Sequence, residues 1–568
     1  MLVAAMTPTT ADNEGSRGST LAGGLGSLTA LLCAGLYPSQ AAAAAPGGGA
    51  RLAGSQAQGP ATDAVTALHH NPAMLASMPG LQLSTSLRGG VDLLTVRKSA
   101  SHQLGAPQGR PYHRATLVNP VGGYFFGASY QLDPIAIGAG IYDLSSRFRP
   151  WSADSLRYHL APDPDVGCTT DPRMPCPKLR NGGAHEIRTD YSVAAAWSLF
   201  DNLQVGVAVH FPRMRLHFSH DNDTRLMARD DAPSACWVDN ASVEDPRCAE
   251  RLSFSGRRQL RWLGRQDGLG TRFDFATTLG VSVGIGEHGR VGLRYRTRPL
   301  LSGGTVELRG RARVCTSGDA FDANPNGLES CHLAPTLEAR LRTPLPREVA
   351  VGVSWNFGTA RQWHVDTNSY WIDECPGGNR LAECDHRDAR SLSLIGLDPS
   401  AAILPELQLY RGRQDVLGTE VFGEYDLWKT FHPKTRGDTT TAPRVSLLLG
   451  GGFRSPAVRA GAITAAESDG WTLAADVGPK IELLRSHGSW LLMPGYGLDI
   501  LLPQRVGPGG APPSFDPQAA LDFAASGGDI NSPSADTVLS GRARASNAGR
   551  YSGSAHVLMF TLRWSERE

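Results

Sequence analysis

Beyond its first 45 residues the chain lacks any hydrophobic run of about 18 residues, the length a membrane-crossing helix requires. It also lacks an excess of charge of either sign. Lys and Arg number 55 against 54 Asp and Glu, giving a formal net charge of +1, and no long basic or acidic block stands out. A nucleic-acid partner is therefore not expected. The catalytic signatures are missing as well: no G-x-S-x-G nucleophile turn, no H-E-x-x-H metal helix, no phosphate-binding glycine loop with its Lys, and no dinucleotide fingerprint after a strand. No cofactor, metal or enzymatic activity is expected. What the chain does have is glycine, at 65 of 568 positions, with Leu and Val spread evenly, which favours short strands and many turns.

The opening reads as a processing segment. Residues 21–36, LAGGLGSLTALLCAGL, precede an alanine-rich YPSQAAAAAP with several Ala-x-Ala sites, so residues 1–44 are expected to be a secretory signal peptide. With Cys33 removed, eight cysteines remain: Cys168, Cys176, Cys236, Cys248, Cys315, Cys331, Cys375 and Cys384. They fall as four close pairs within Pro-, Asp-, Asn- and Gly-rich segments. Local disulfides in an oxidising compartment are the simplest pairing, and proximity alone supports it. A zinc site is the minor reading, because the spacings exceed C-x-x-C.

Elsewhere the dominant signal is period two. In LQVGVAVH, Leu203, Val205, Val207 and Val209 share one face while Gln204, Gly206, Ala208 and His210 share the other. The register recurs at Leu279, Val281, Val283 and Ile285, and again at Val349, Val351, Val353 and Trp355. Similar segments run to the end of the chain, Trp and Tyr cluster near their ends, and tight turns alternate with long polar connections. Strands of this kind cannot leave backbone groups free in lipid, so the pattern predicts an all-β fold, a closed transmembrane antiparallel barrel of about fourteen strands. A soluble sandwich also alternates, and periodicity alone does not separate the two.

The stretch TDAVTALHHNPAMLASMPGLQLSTSL resembles the N-terminal hatch of the FadL family of outer-membrane transporters for long-chain fatty acids and other hydrophobic compounds, with Asn71, Pro72 and Ala73 at its core. LGVSVGIGEHGRVGLRYRTRPLLSGG, LPREVAVGVSW and the closing NAGRYSGSAHVLMFTLRW are similar to later strands of that family, in order. The resemblance implies a hatch over 45–80 that plugs the lumen of a barrel formed by 81–568. It also implies a monomer in a Gram-negative outer membrane, folded by the barrel-assembly machinery. Long-chain fatty acids or similar hydrophobic compounds would be captured in a lumenal pocket and released sideways after the hatch rearranges. The alternative is a barrel with an adhesive or structural role carried by its external loops.

Among candidate site residues, Arg294, Arg296 and Arg298 alternate with Val291, Leu293 and Tyr295. If the aliphatic set faces lipid, the arginines face the lumen, where they could hold a carboxylate or pair with neighbouring Asp and Glu. His69 and His70 precede the Asn-Pro-Ala turn and are read as packing against the wall rather than binding metal. Asp366 and Asp373, near Trp363, Trp371 and His364, look like an acid/base pair on paper but are read as internal salt-bridge partners. The GGG at 450–452 predicts a bend or bulge within a strand.

Overall fold

In a computed structural model of the chain, the alternation seen in the sequence becomes two faces of opposite character. The structure describes residues 59–99, 111–148, 157–159, 178–180, 184–223, 249–258, 275–315, 337–357, 362–374, 390–395, 406–409, 413–427, 443–458, 463, 469–485, 488–506 and 549–566. The strands in chain order are β1 (Leu81–Ser99), β2 (Pro111–Leu132), β3 (Ile135–Phe148), β4 (Arg157–His159), β5 (Lys178–Arg180), β6 (Ala184–Phe200) and β7 (Leu203–Asp223). They continue with β8 (Ala249–Arg257), β9 (Ala276–Ile285), β10 (Gly289–Arg296), β11 (Thr305–Cys315), β12 (Leu337–Pro344), β13 (Arg347–Phe357) and β14 (Trp363–Asp373). The last are β15 (Arg390–Ile395), β16 (Glu406–Leu409), β17 (Val416–Asp426), β18 (Arg444–Arg454), β19 (Thr472–Arg485), β20 (Gly488–Val506) and β21 (Gly549–Glu566).

Pairing closes on itself. The ring runs β1, β2, β3, β6, β7, β9, β10, β13, β14, β17, β18, β19, β20, β21 and back to β1, a closed antiparallel barrel of 14 strands. A closed sheet has no edge strand, so the wall offers lipid no open ladder beyond short breaks in register such as that between Val477 and Ile481 of β19. Five further strands extend one rim: β8 continues β9 alongside the upper half of β7, and β11, β12, β15 and β16 follow in antiparallel order. We call this extension the crown. The short β4–β5 hairpin forms a separate two-stranded sheet. The connections at the opposite rim include tight turns, as after Leu132, Phe200 and Ile285, where Gly286 takes a φ of 58° that suits glycine. The crown rim carries most of the longer ones, although the connection from β17 to β18, at the opposite rim, is also long.

The faces are inverted relative to a soluble domain. Leu279, Val281, Val283 and Ile285 point outward and are exposed, while Thr278 and Ser282 are fully buried on the inside. On β13, Val351, Val353 and Trp355 are outward and exposed, and Ala350 is buried. An apolar exterior over a polar interior is the pattern of a barrel whose solvent is lipid, and it fits an outer-membrane protein. It sets aside the soluble sandwich, whose apolar faces would point inward. Aromatics gather towards the rims. Phe357 stacks on Trp363, with ring centroids 6.2 Å apart, and Trp363 meets Tyr425 at 4.6 Å near the tight-turn rim. Phe453 stacks on Trp471 at 5.3 Å near the other. Interfacial girdles place rings this way.

One local expectation is corrected. The glycines at 450–452 make no bulge: their register with β17 and β19 runs through without a shift. Glycine is needed there for space, since a Cβ on Gly450 would lie 2.9 Å from the inward ring of Phe422. The expected signal peptide lies outside the described residues. So do the cysteines apart from Cys315, of which only the strand position is described.

Candidate functional site: the N-terminal segment within the barrel

Residues 59–80 form no strand. They contain a single turn of α-helix, α1 (Ala67–His70), followed by a 3-10 helix over Pro72–Ser77. The segment packs against the inward faces of β3, β6, β7 and β9. Val65, Leu68, Met74, Leu75 and Met78 form a buried apolar cluster with wall residues that include Phe125 and Tyr142. Further buried apolar clusters join Leu94, Leu117, Leu501 and Tyr551 of the wall to Val458 and Ile463, and Tyr370, Ile372 and Val416 to Ala457, while Ser, Thr, Asn and Asp line much of the rest.

The Asn-Pro-Ala turn is built residue by residue to hold the segment to the wall. Asn71 adopts an extended backbone and caps the 3-10 helix, its Oδ1 accepting from Ala73 N at 3.2 Å. Its Nδ2 donates to Pro60 O at 2.5 Å and to Val281 O of β9 at 3.0 Å, joining two parts of the segment to the barrel. Pro72 occupies the first helical position, where its missing N–H costs nothing. Ala73 lies over Gly206. A Cβ at Gly206, Gly280 or Gly292 would collide with Ala73, Asn71 or Pro60 respectively, so glycines of three strands form the seat.

Next to the turn lies a buried ionic cluster. Arg294 and Arg296 are 2% and 0% exposed, inward of the exposed Leu293 and Tyr295. Arg294 Nη2 donates to Glu348 Oε2 at 2.8 Å and its Nη1 to His69 O at 3.2 Å. Arg296 pairs with Asp190, which is also 3.7 Å from Arg188. His69 is held between the two arginines, with Nε2 3.2 Å from Arg294 and Nδ1 3.3 Å from Arg296. A neutral imidazole has one free lone pair, so one of these approaches is a hydrogen bond and the other faces a ring N–H. Burial, then Arg294, His70, Arg296 and His210, hold His69 well below the usual histidine range. Burial and Arg294 push His70 down to about 3.

The remaining sequence candidates separate. Arg298 pairs with Asp373 at 2.9 Å, and Asp373 is shared with Arg347. Asp366 pairs with His364 at 3.0 Å, so the two carboxylates are not brought together. Sequence reasoning missed the network at His210, whose Nδ1 lies 2.6 Å from Ser192 Oγ and 3.1 Å from Tyr142 OH, and whose Nε2 lies 2.7 Å from Thr278 Oγ1. Its members sit on four strands, and only their shared inward parity was visible beforehand. Among the described residues, no group of three or more His, Cys, Asp or Glu is placed to hold a metal.

No protein-family model and no curated protein matches the sequence. Solved structures do. A FadL homologue of Pseudomonas aeruginosa is 11% identical over 92% of this chain and 98% of its own, with a TM-score of 0.55. The Pseudomonas putida toluene transporter TodX is 12% identical over 92% and 99%, at 0.50. A deltaS2 mutant of the TodX monoaromatic hydrocarbon channel is 13% identical over the same shares, at 0.52. At such identities the likeness is one of architecture, and the chain has the fold of the FadL homologue and of TodX, a closed barrel of fourteen antiparallel strands.

Proposed function

We propose that the protein takes up hydrophobic small molecules through the outer membrane, with long-chain fatty acids as the first class to test, and that residues 45–80 plug the lumen. The observation carrying this reading is the seating of residues 59–80 inside the wall, fixed by Asn71, the glycine seat and the arginine cluster. A barrel of 14 strands would otherwise leave a wide aqueous path, useless to a solute whose apolar chain gains by leaving water. The likeness to a FadL homologue and to a toluene transporter supports the same substrate class. Capture in a lumenal pocket, a shift of the plug and lateral release into the membrane would complete the path.

Arg294, Arg296 and Arg298 are the candidates for a carboxylate. A ligand reaching Arg294 or Arg296 would have to displace Glu348 or Asp190, both buried. Arg298 is more accessible, its side chain 16% exposed beside Asp373, and it is the stronger candidate of the three. The test is uptake of labelled oleate by a Gram-negative host lacking its own transporter, with the full chain or a chain lacking residues 46–80. Restored uptake without entry of small hydrophilic dyes supports the reading, with dye leakage expected from the truncated chain. A surface-assembled full chain that moves neither oleate nor toluene overturns it.

A further inference from the structure

The outward face of β7 changes character along its length. Leu203, Val205, Val207, Val209 and Phe211 give way, with no loss of parity, to Arg213 and Arg215, both exposed. The apolar part spans eight steps, about 26 Å along the strand and about 20 Å across a bilayer at a tilt near 40°, close to the height of a barrel's apolar band. The arginines therefore begin where hydrocarbon ends, on the crown side.

They do not stand alone. Arg215 is directly opposite Arg257 of β8, Arg257 opposite Arg309 of β11, and Arg309 opposite Arg340 of β12. This unbroken row of four arginines across four strands is bounded by Ile187 and Ser393. Arg257 and Arg309 are exposed and Arg340 is half-exposed, all on the outward face. Arg311 and Arg342 flank the row on that face, and the described acidic residues among them are Glu307 and Glu338. Glu307 is shared at 3.7 Å by Arg309 and Arg342, whose side chains remain 54% and 64% exposed. Arg213 donates to Tyr191 OH at 3.4 Å. Among the described residues this face carries seven arginines and two glutamates.

Like charges directly opposite on neighbouring strands are destabilising, and an anion lying across such a row relieves the repulsion. Arginine binds phosphate through paired N–H groups, and basic residues at a headgroup level attract anionic lipid. Four strands at about 4.8 Å spacing make the row about 14 Å wide, which suits two phosphates better than one. From the register of these arginines with the apolar band we infer that the crown carries a docking site for the headgroup of a diphosphorylated glycolipid of the outer leaflet, set against the wall at β7, β8, β11 and β12. The inference uses the membrane placement of the barrel but not its cargo, so it stands or falls apart from uptake.

The test is native mass spectrometry of the full chain in neutral detergent with diphosphoryl lipid A, its dephosphorylated form, or phosphatidylglycerol. The diphosphorylated lipid is expected to be retained at least tenfold over the other two, and less at high salt. Arg257→Ser with Arg309→Ser should cut retention at least tenfold while oleate uptake is unchanged. Glu307→Gln, which removes a half-exposed carboxylate and keeps the strand, should raise retention, and decides the matter if the double variant fails to fold. Equal retention of the dephosphorylated lipid or of phosphatidylglycerol, undiminished retention by the folded double variant, or no gain with Glu307→Gln overturns the site.

Discussion

At the scale of single residues, the segment inside the barrel depends on polar groups with few substitutes. Asn71 satisfies two carbonyls and one amide at once, and alanine would strand all three. We expect Asn71→Ala to weaken seating by about 2–4 kcal/mol, from a lost cap and unpaired buried groups. Faster amide exchange over 59–80 with unchanged exchange in the wall would show it. Glu348 supports Arg294 in the same way: Glu348→Gln leaves a buried guanidinium short of its counter-charge, at a cost of about 3–5 kcal/mol. A double Arg294→Met, Glu348→Leu variant should melt closer to the parent than either single variant. The histidines add a pH dependence. Both are depressed below 6.5 by burial and nearby positive charge, so their stabilising neutral form is complete above pH 6.5. Seating should weaken as pH falls below 6.5, for His70 by about 1.4 kcal/mol per unit down towards 3, with His69 acting in the same direction. Between pH 6.5 and 5, dye leakage should rise in the parent and stay flat in a His69→Gln, His70→Gln variant.

At the scale of elements, the wall strands were legible and their partners were not. Period two in β7, β9 and β13 announced which residues face lipid, because the alternation reflects one strand's own geometry. The Asn-Pro-Ala turn was visible as a break in that period. Its contacts with Val281 and Gly206, and that of Pro60 with Gly292, were not, since they join residues more than a hundred positions apart through a register that no single strand encodes. The crown was hidden for a related reason. Most of β8 falls in a stretch that reads as one of the long polar connections, and only pairing with the two halves of β7 shows it continuing β9. The glycine seat gives a test at this scale. Gly206→Val would force a side chain into the backbone of Pro72 and Ala73, whereas Gly423→Val on β17 meets almost nothing. The first should unseat the segment and admit hydrophilic dyes, and the second should not. Both barrels should keep heat-modifiable gel mobility, because the ring of pairings does not pass through either side chain.

At the scale of the whole molecule, the closed ring and the inverted faces together require a solvent that is apolar around the middle and charged at the crown. In water the exposed rows of Leu279, Val281, Val283, Leu293, Val351 and Val353 would drive association, and in lipid they cost nothing. Height along the barrel should then set the cost of a charge. Val207 lies midway along the apolar part of β7, with Phe211 at its upper end and Arg213 just beyond. Val207→Arg should destabilise the barrel in lipid vesicles by about 2–4 kcal/mol, and Phe211→Arg by about 1 kcal/mol or less beyond the loss of its ring contacts. Urea titration of refolding into vesicles measures both. If the two positions cost the same, the apolar band does not span a bilayer, and the docking row above it loses its reference level. If the cost falls with distance from Val207, the boundary at Arg213 is the level at which headgroups begin.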